Sequence, residues 1–205
     1  MKLWKRAAAM VLALTLCTAL VPAGAVGTDV RSTTADGGMS HSIALKDGTV
    51  YTWGSNQQMQ LGFAGTEQGR KAPAKLEGLS GITAVAAGYD FSAALSFDGT
   101  VYTWGGGLQS EPTQVPGLSG IVDISAGQIG LLALDQNGHV WQWSLGEAPV
   151  QVPGLNDIAA VSAGGGHYLA LTFYGDVYAW GSNQSGQLGI GSTEDSAVPR
   201  KLNLL

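Results

Sequence analysis

Residues 38–54 read Gly38-Met39-Ser40-His41-Ser42-Ile43-Ala44-Leu45-Lys46-Asp47-Gly48-Thr49-Val50-Tyr51-Thr52-Trp53-Gly54. Two short β-branched and apolar runs flank Asp47-Gly48. That dipeptide tolerates the positive φ angles of a tight two-residue hairpin. The segment therefore predicts two antiparallel strands, the second ending in Trp-Gly.

The same pattern recurs along the chain. Asp98-Gly99 and Asn137-Gly138 repeat the turn, while Tyr174-Gly175 replaces it in the last copy, where a looser turn is expected. The tryptophans Trp53, Trp104, Trp143 and Trp180 are spaced by 51, 39 and 37 residues. Ala-Gly pairs at 87–88, 126–127 and 163–164 follow with gaps of 39 and 37, so whole units repeat. Each unit reads as four strands. The first follows proline (73–76, 112–115, 149–152), where a missing N–H suits an edge strand. The second is β-branched (82–88, 121–127, 158–164). The third and fourth correspond to the opening hairpin. Ala44, Ala94, Ala133 and Ala170 fall at one register, and small side chains there let sheets approach closely near a common axis. No long 3.6-residue periodicity competes with this reading after the N-terminus.

Four-stranded units of this length point to propeller blades. The stretch Gly38–Gly54 resembles the regulator of chromosome condensation repeat. Trp180-Gly181-Ser182-Asn183-Gln184-Ser185-Gly186-Gln187-Leu188-Gly189 is similar to that family's Trp-Gly-x-Asn-x-x-Gly-Gln-Leu-Gly signature. Trp53 to Gly62 carries a weaker version, with Met59 where glycine is usual. The resemblance covers residues 35–205. It implies a β-propeller scaffold, seven-bladed in the family, of which this chain supplies about four blades. The expected fold class is all-β: a partial β-propeller of about four four-stranded antiparallel blades, an open arc, after an N-terminal signal helix. A small ring and closure by self-association are the alternatives. The expected division is a signal peptide over 1–25, a linker over 26–36, and repeats over 37–205. The repeats comprise a part-blade 37–54, blades 72–105, 112–143 and 149–181, and a trailing strand 198–202.

The signal rests on Lys2, Lys5 and Arg6, an apolar stretch over 7–21, and Ala23-Gly24-Ala25 as a small-residue cleavage site. The apolar stretch is shorter than the ~20 residues a membrane span needs, so no stable span is expected after cleavage. Leu16 before Cys17 argues against lipidation. Cleavage after Ala25 removes three basic and no acidic residues, taking the formal charge from −5 to −8. It also removes Cys17, the single cysteine, so the exported form relies on its core without disulfides. An acidic chain lacks the basic footprint that nucleic acid requires. Its 31 glycines and 12% charged residues fit many tight turns, and the absence of a Gly-X-Y period excludes collagen.

The candidate site residues lie where the copies differ. The loops after each Ala-Gly carry Met39, Tyr89-Asp90, Gln128-Ile129 and Gly165-Gly166, followed by His41, Phe91, Gly130 and His167. Loops on one face of a rigid scaffold commonly carry recognition. Met39, Tyr89, Asp90, Phe91, Gln128, Ile129 and His167 are the candidates for contact with a protein partner. His41 and His167 align with Phe91 and Gly130, a substitution pattern of packing rather than catalysis. Three histidines, with no cysteine left in the cleaved form, give no zinc spacing, Asp135-Gln136-Asn137-Gly138 lacks the later carboxylates of a calcium loop, and the glycine triplets at 105–107 and 164–166 lack the Lys-Ser/Thr of a phosphate loop. No metal or cofactor is expected. Asn183-Gln184-Ser185 matches a glycosylation pattern but falls inside the repeat signature. The expected function is that of an exported non-enzymatic scaffold that binds a protein. The alternatives are a structural fragment or truncated copy of a larger cell-surface repeat protein, and a propeller enzyme using carboxylates near the axis. Within the resembled family, nucleotide exchange on a small GTPase and inhibition of β-lactamases by a secreted bacterial member are the analogies.

Overall fold

A computed structural model describes residues 34–204. The predicted signal helix over 1–25 and most of the linker lie outside the described residues. Sixteen strands form four antiparallel sheets. The first holds β1 (Thr34–Gly37), β2 (His41–Lys46), β3 (Thr49–Ser55) and β4 (Gly69–Lys75). The second holds β5 (Ile82–Ala87), β6 (Phe91–Ser96), β7 (Val101–Gly105) and β8 (Gln109–Gln114). The third holds β9 (Ile121–Ala126), β10 (Gly130–Asp135), β11 (Val140–Ser144) and β12 (Val150–Gln151). The fourth holds β13 (Ile158–Ala163), β14 (His167–Thr172), β15 (Val177–Gly181) and β16 (Ser196–Lys201). Within each sheet the strands follow chain order, a simple meander.

The grouping differs from the sequence expectation in one respect. The proline-bearing segments close each sheet instead of opening the next. Pro73, Pro112 and Pro199 lie in β4, β8 and β16, which pair with the tryptophan strands: Tyr51 faces Lys75, Tyr102 faces Gln114 and Tyr178 faces Lys201. The proposed part-blade 37–54 is thus the middle of a full sheet spanning 34–75, and the trailing 198–202 segment is the outer strand of the fourth. Proline marks an edge strand correctly. It does not say which sheet owns that edge.

Three cores join the sheets in series. Ile43, Leu45 and Val50 of the first sheet meet Val85, Ala94 and Trp104 of the second. Ala93, Leu95 and Val101 meet Ile124, Leu131 and Trp143 of the third. Leu132, Leu134 and Val140 meet Tyr168, Ala170 and Trp180 of the fourth. Burial along the second strand of each sheet follows from this order. All six residues of β6 and all six of β10 are buried, because those strands are covered on both faces. In β2 only His41, Ile43 and Leu45 are buried, and in β14 only Tyr168, Ala170 and Thr172. The end sheets are covered on one face each, and the two faces are opposite. Among the described residues the four sheets form an open series.

Each Trp-Gly pair has a local cause. The register slips beside Trp53, Trp104 and Trp180, and the following Gly54, Gly105 and Gly181 take φ of 102°, 93° and 102°. These are β-bulges that need glycine. In the third sheet Ser144 follows Trp143; β12 has only two residues and pairs without a register shift.

The hairpins also refine the expectation. Asp47 and Gly48 both take positive φ, 50° and 72°, with Lys46 paired to Thr49, as a two-residue turn requires. The other three share a longer turn. Ser96 N, Asp135 N and Thr172 N donate to the carbonyls of Thr100, His139 and Asp176, and only Gly99, Gly138 and Gly175 need positive φ. The Tyr174-Gly175 turn is therefore not looser. Thr172 Oγ1 accepts the N–H groups of Tyr174 and Asp176, as Asp135 Oδ1 accepts those of Asn137 and His139. No helix among the described residues is long and apolar enough to cross a membrane.

Candidate protein-binding face

The loops β1–β2, β5–β6, β9–β10 and β13–β14 occupy equivalent positions in the four stacked sheets. Backbone bonds tie neighbours together: Met39 N donates to Tyr89 O at 3.3 Å, and Gln128 N to Gly164 O at 3.0 Å. Three of the four loops are also tied to the tryptophan strand side of their own sheet, and the β9–β10 loop is closed by Gly127 N donating to Gly130 O at 2.8 Å. The carbonyls of Ser40, Asp90 and Gly166 accept from Ser55 N, Gly106 N and Ser182 N at 2.8 Å each. The loops are short and held at both ends, so side chains on their outer surface are presented in a fixed row.

Of the predicted contact residues, Met39 is 66% exposed, Ile129 58% and Tyr89 38%. Gln128 is exposed and Asp90 half-buried. These five form the accessible part of the set. Phe91 does not belong to it: it is 2% exposed, its ring edge-on to Trp143 with centroids 6.0 Å apart, inside the core between the second and third sheets. The ring lies over Gly88, leaving no room for a Cβ there. His167 lies over Gly164 in the same way and is half-buried on the uncovered face of the fourth sheet. Sequence position placed these two beside the loops; the pleat turned them off the loop surface.

His41 reads as packing in the sequence and is 3% exposed. Its Nε2 lies 2.9 Å from Ser92 Oγ in the next sheet, and that hydroxyl donates to Gln60 O at 2.9 Å. The serine proton being used, Nε2 carries the hydrogen and donates. Gln60 O also accepts Trp104 Nε1–H at 3.0 Å. Burial holds the His41 imidazole below the ordinary histidine range, against the opposing pull of Asp90, the Phe91 backbone and Asp36. Asp36 Oδ2 reaches Ala87 N at 2.9 Å, and Ser125 Oγ reaches Ala163 N at 3.0 Å. These are polar clasps between successive sheets near their inner strands.

The repeat signature has a structural explanation. Asn183 Oδ1 accepts Leu188 N, and its Nδ2 donates to Ser192 O and Glu194 O. Asn56 repeats this with Leu61 N and Glu67 O. Leu61 and Leu188 are fully buried. Asn183 is likewise fully buried. Among the described residues, no three histidine, cysteine, aspartate or glutamate side chains lie together as metal ligands would.

Stacked four-stranded meanders, bulged tryptophan strands and sheet-to-sheet clasps define a β-propeller-type repeat protein. The family model for the Regulator of chromosome condensation (RCC1) repeat matches residues 47–95 and 174–205, and a second model of that repeat matches 158–187. The chain carries repeats of the regulator of chromosome condensation type in a β-propeller-like fold. It is similar to the ultraviolet-B receptor UVR8 of Arabidopsis thaliana, 31% identical over 182 residues, covering 80% of this chain and 33% of the receptor. It is 42% identical over 106 residues to the E3 ubiquitin-protein ligase HERC2 of Mus musculus, covering 44% of this chain and 2% of the ligase. Among solved structures, human WBSCR16 superposes with a TM-score of 0.76 at 25% identity, covering 86% of this chain and 54% of that one. Yeast RCC1 (Prp20), solved with Kap60 bound, superposes at 0.74 and 22% identity, covering 87% and 50%. The chain thus spans a third or less of these curated relatives and about half of these solved chains.

Proposed function

We propose that this chain is an exported, non-enzymatic scaffold that binds a protein partner through the loop row of Met39, Tyr89, Asp90, Gln128 and Ile129. The observation that carries the reading is the exposure of Met39, Ile129 and Tyr89 on short loops, bonded first to second and third to fourth. A loop backbone already held by hydrogen bonds loses little conformational freedom on binding. A solved relative is named in complex with Kap60, which supports protein binding as a use of this fold. Export is supported by the basic, apolar and small-residue succession over residues 1–25.

The test of binding compares wild type with the triple variant Met39→Ser, Tyr89→Ser, Ile129→Ser in chemical crosslinking on the producing cells. Loss of the crosslinked species with an unchanged melting temperature supports the loop row. An unchanged species rejects it. The test of export is the N-terminal sequence of protein recovered outside the cytoplasm, expected to begin at Val26.

A further inference from the structure

Among the described residues the first and fourth sheets each leave one face uncovered, and the two faces have the composition of partners. The trailing face of the first sheet, which the second sheet covers, is built from His41, Gln60, Ile43, Leu45, Val50 and Leu76. Strand register aligns these with His167, Gln187, Leu169, Leu171, Val177 and Leu202 of the fourth. The local structure is shared in detail. Gln60 Oε1 accepts Gln58 N as Gln187 Oε1 accepts Ser185 N. Leu76 N donates to Val50 O as Leu202 N donates to Val177 O. Burial is what differs. Leu171 is 40% exposed, whereas its counterparts Leu45, Leu95 and Leu134 are at 0%, 3% and 3%. Gln187 is exposed, while Gln60 is 1% exposed.

The leading face of the first sheet is the complement. Its Ser42, Ala44 and Trp53 align with Ser92, Ala94 and Trp104, which cover the trailing face of the first sheet. Ala44 and Trp53 are half-exposed, although Ala94 and Trp104 are buried. The junctions inside the chain also show a pairing rule at one position. His41 meets Ser92 by a hydrogen bond. Phe91 and Leu131 share the next core. Gly130 leaves the space into which the Tyr168 hydroxyl projects, 3.5 Å from where a Cβ would stand. The unmatched members are His167 at one end and Ser42 at the other, the same polar pair that the first junction uses.

We propose that the trailing face of β13–β16 docks on the leading face of β1–β4 of a second copy of this chain, head to tail, with His167 donating to Ser42 and Gln187 O accepting Ser42 and Trp53 of that copy. The occupant is fixed by continuity with the junction between the first two sheets. A head-to-tail contact is heterologous: two copies close into a ring if the rotation allows, and otherwise extend. This inference is independent of the loop row, since neither face includes Met39, Tyr89 or Ile129.

The test uses sedimentation of the full chain across a concentration series. Wild type is expected to associate. Leu171→Lys, blocking the trailing face, and Ala44→Glu, blocking the leading face, are each expected to sediment as monomers with circular dichroism unchanged. An equimolar mixture of the two retains one intact junction and is expected to recover a dimer, which a symmetric contact between like faces does not produce. His167→Ala and Ser42→Ala are each expected to weaken association by about tenfold, and the double variant by no more than either alone. A wild-type chain that stays monomeric at its highest soluble concentration overturns the proposal. So do variants that associate normally, or a mixture that stays monomeric. Because the loop-row variant keeps both faces, its self-association is expected to be that of wild type, so failure of either reading is seen separately.

Discussion

The imidazole of His41 and the hydroxyl of Ser92 lie 51 positions apart in sequence and 2.9 Å apart in space, across the junction of two sheets. The serine passes the interaction on to Gln60 O, which Trp104 also reaches. One buried carbonyl therefore binds the loop of the first sheet to the second strand and the tryptophan strand of the second.

Ser92→Ala is expected to destabilise the fold by about 1–3 kcal/mol, because it strands the buried Nε2–H of His41 and takes one of two donors from Gln60 O. The midpoint of urea unfolding should fall with an unchanged slope. A shift of less than a few tenths of a kcal/mol would show that the bond has no net weight.

Acid should weaken the fold through His41. Burial depresses its folded pKa below 6.5, so the unfolded chain binds a proton that the folded chain refuses once the pH drops below that value. The contribution is complete above pH 6.5, declines as pH falls toward the folded pKa, and is constant below it. His41→Phe, the residue found at the same position of the second sheet, should flatten the melting temperature between pH 7.5 and 5.5 relative to wild type.

Glycine substitutions should act in opposite directions at two sites. A Cβ on Gly54 would stand 2.5 Å from Ser40 O, at φ 102°, so Gly54→Ala should cost about 2 kcal/mol or more. Met59 takes φ 64° where the matching Gly186 takes 73°. Met59→Gly relieves a left-handed residue and should stabilise by up to about 1 kcal/mol. Thermal unfolding of the two variants reads both signs.

Asn183 should carry no glycan on the folded chain. Its amide nitrogen donates to two carbonyls, and the residue is fully buried. Expression in a glycosylating host should give wild type and Ser185→Ala masses that differ only by the serine oxygen, with no glycan mass on wild type. Asn183→Ala should destabilise by about 2–4 kcal/mol, since the Leu188 N–H and two carbonyls lose their partner together.

Much of the fold was legible because each repeat is locally encoded. The turn glycines, the Trp-Gly bulges and the β-branched runs state their conformations within a few residues. The ownership of the edge strands was not, since Pro73 fits the rim of either neighbouring sheet and only the pairing of Tyr51 with Lys75 decides. The candidate site was partly legible. Loop position identified Met39, Tyr89 and Ile129, but the pleat that sends Phe91 into the core toward Trp143 is a property of the sheet stack.

The sequence by itself determined the strand units, their turns and their repeat type, because backbone preference and repeat period are short-range properties. Only the tertiary structure decided which faces are covered. Ile43 and Leu169 look alike in sequence, yet one is fully buried and the other half-exposed, because a sheet follows the first and none among the described residues follows the fourth.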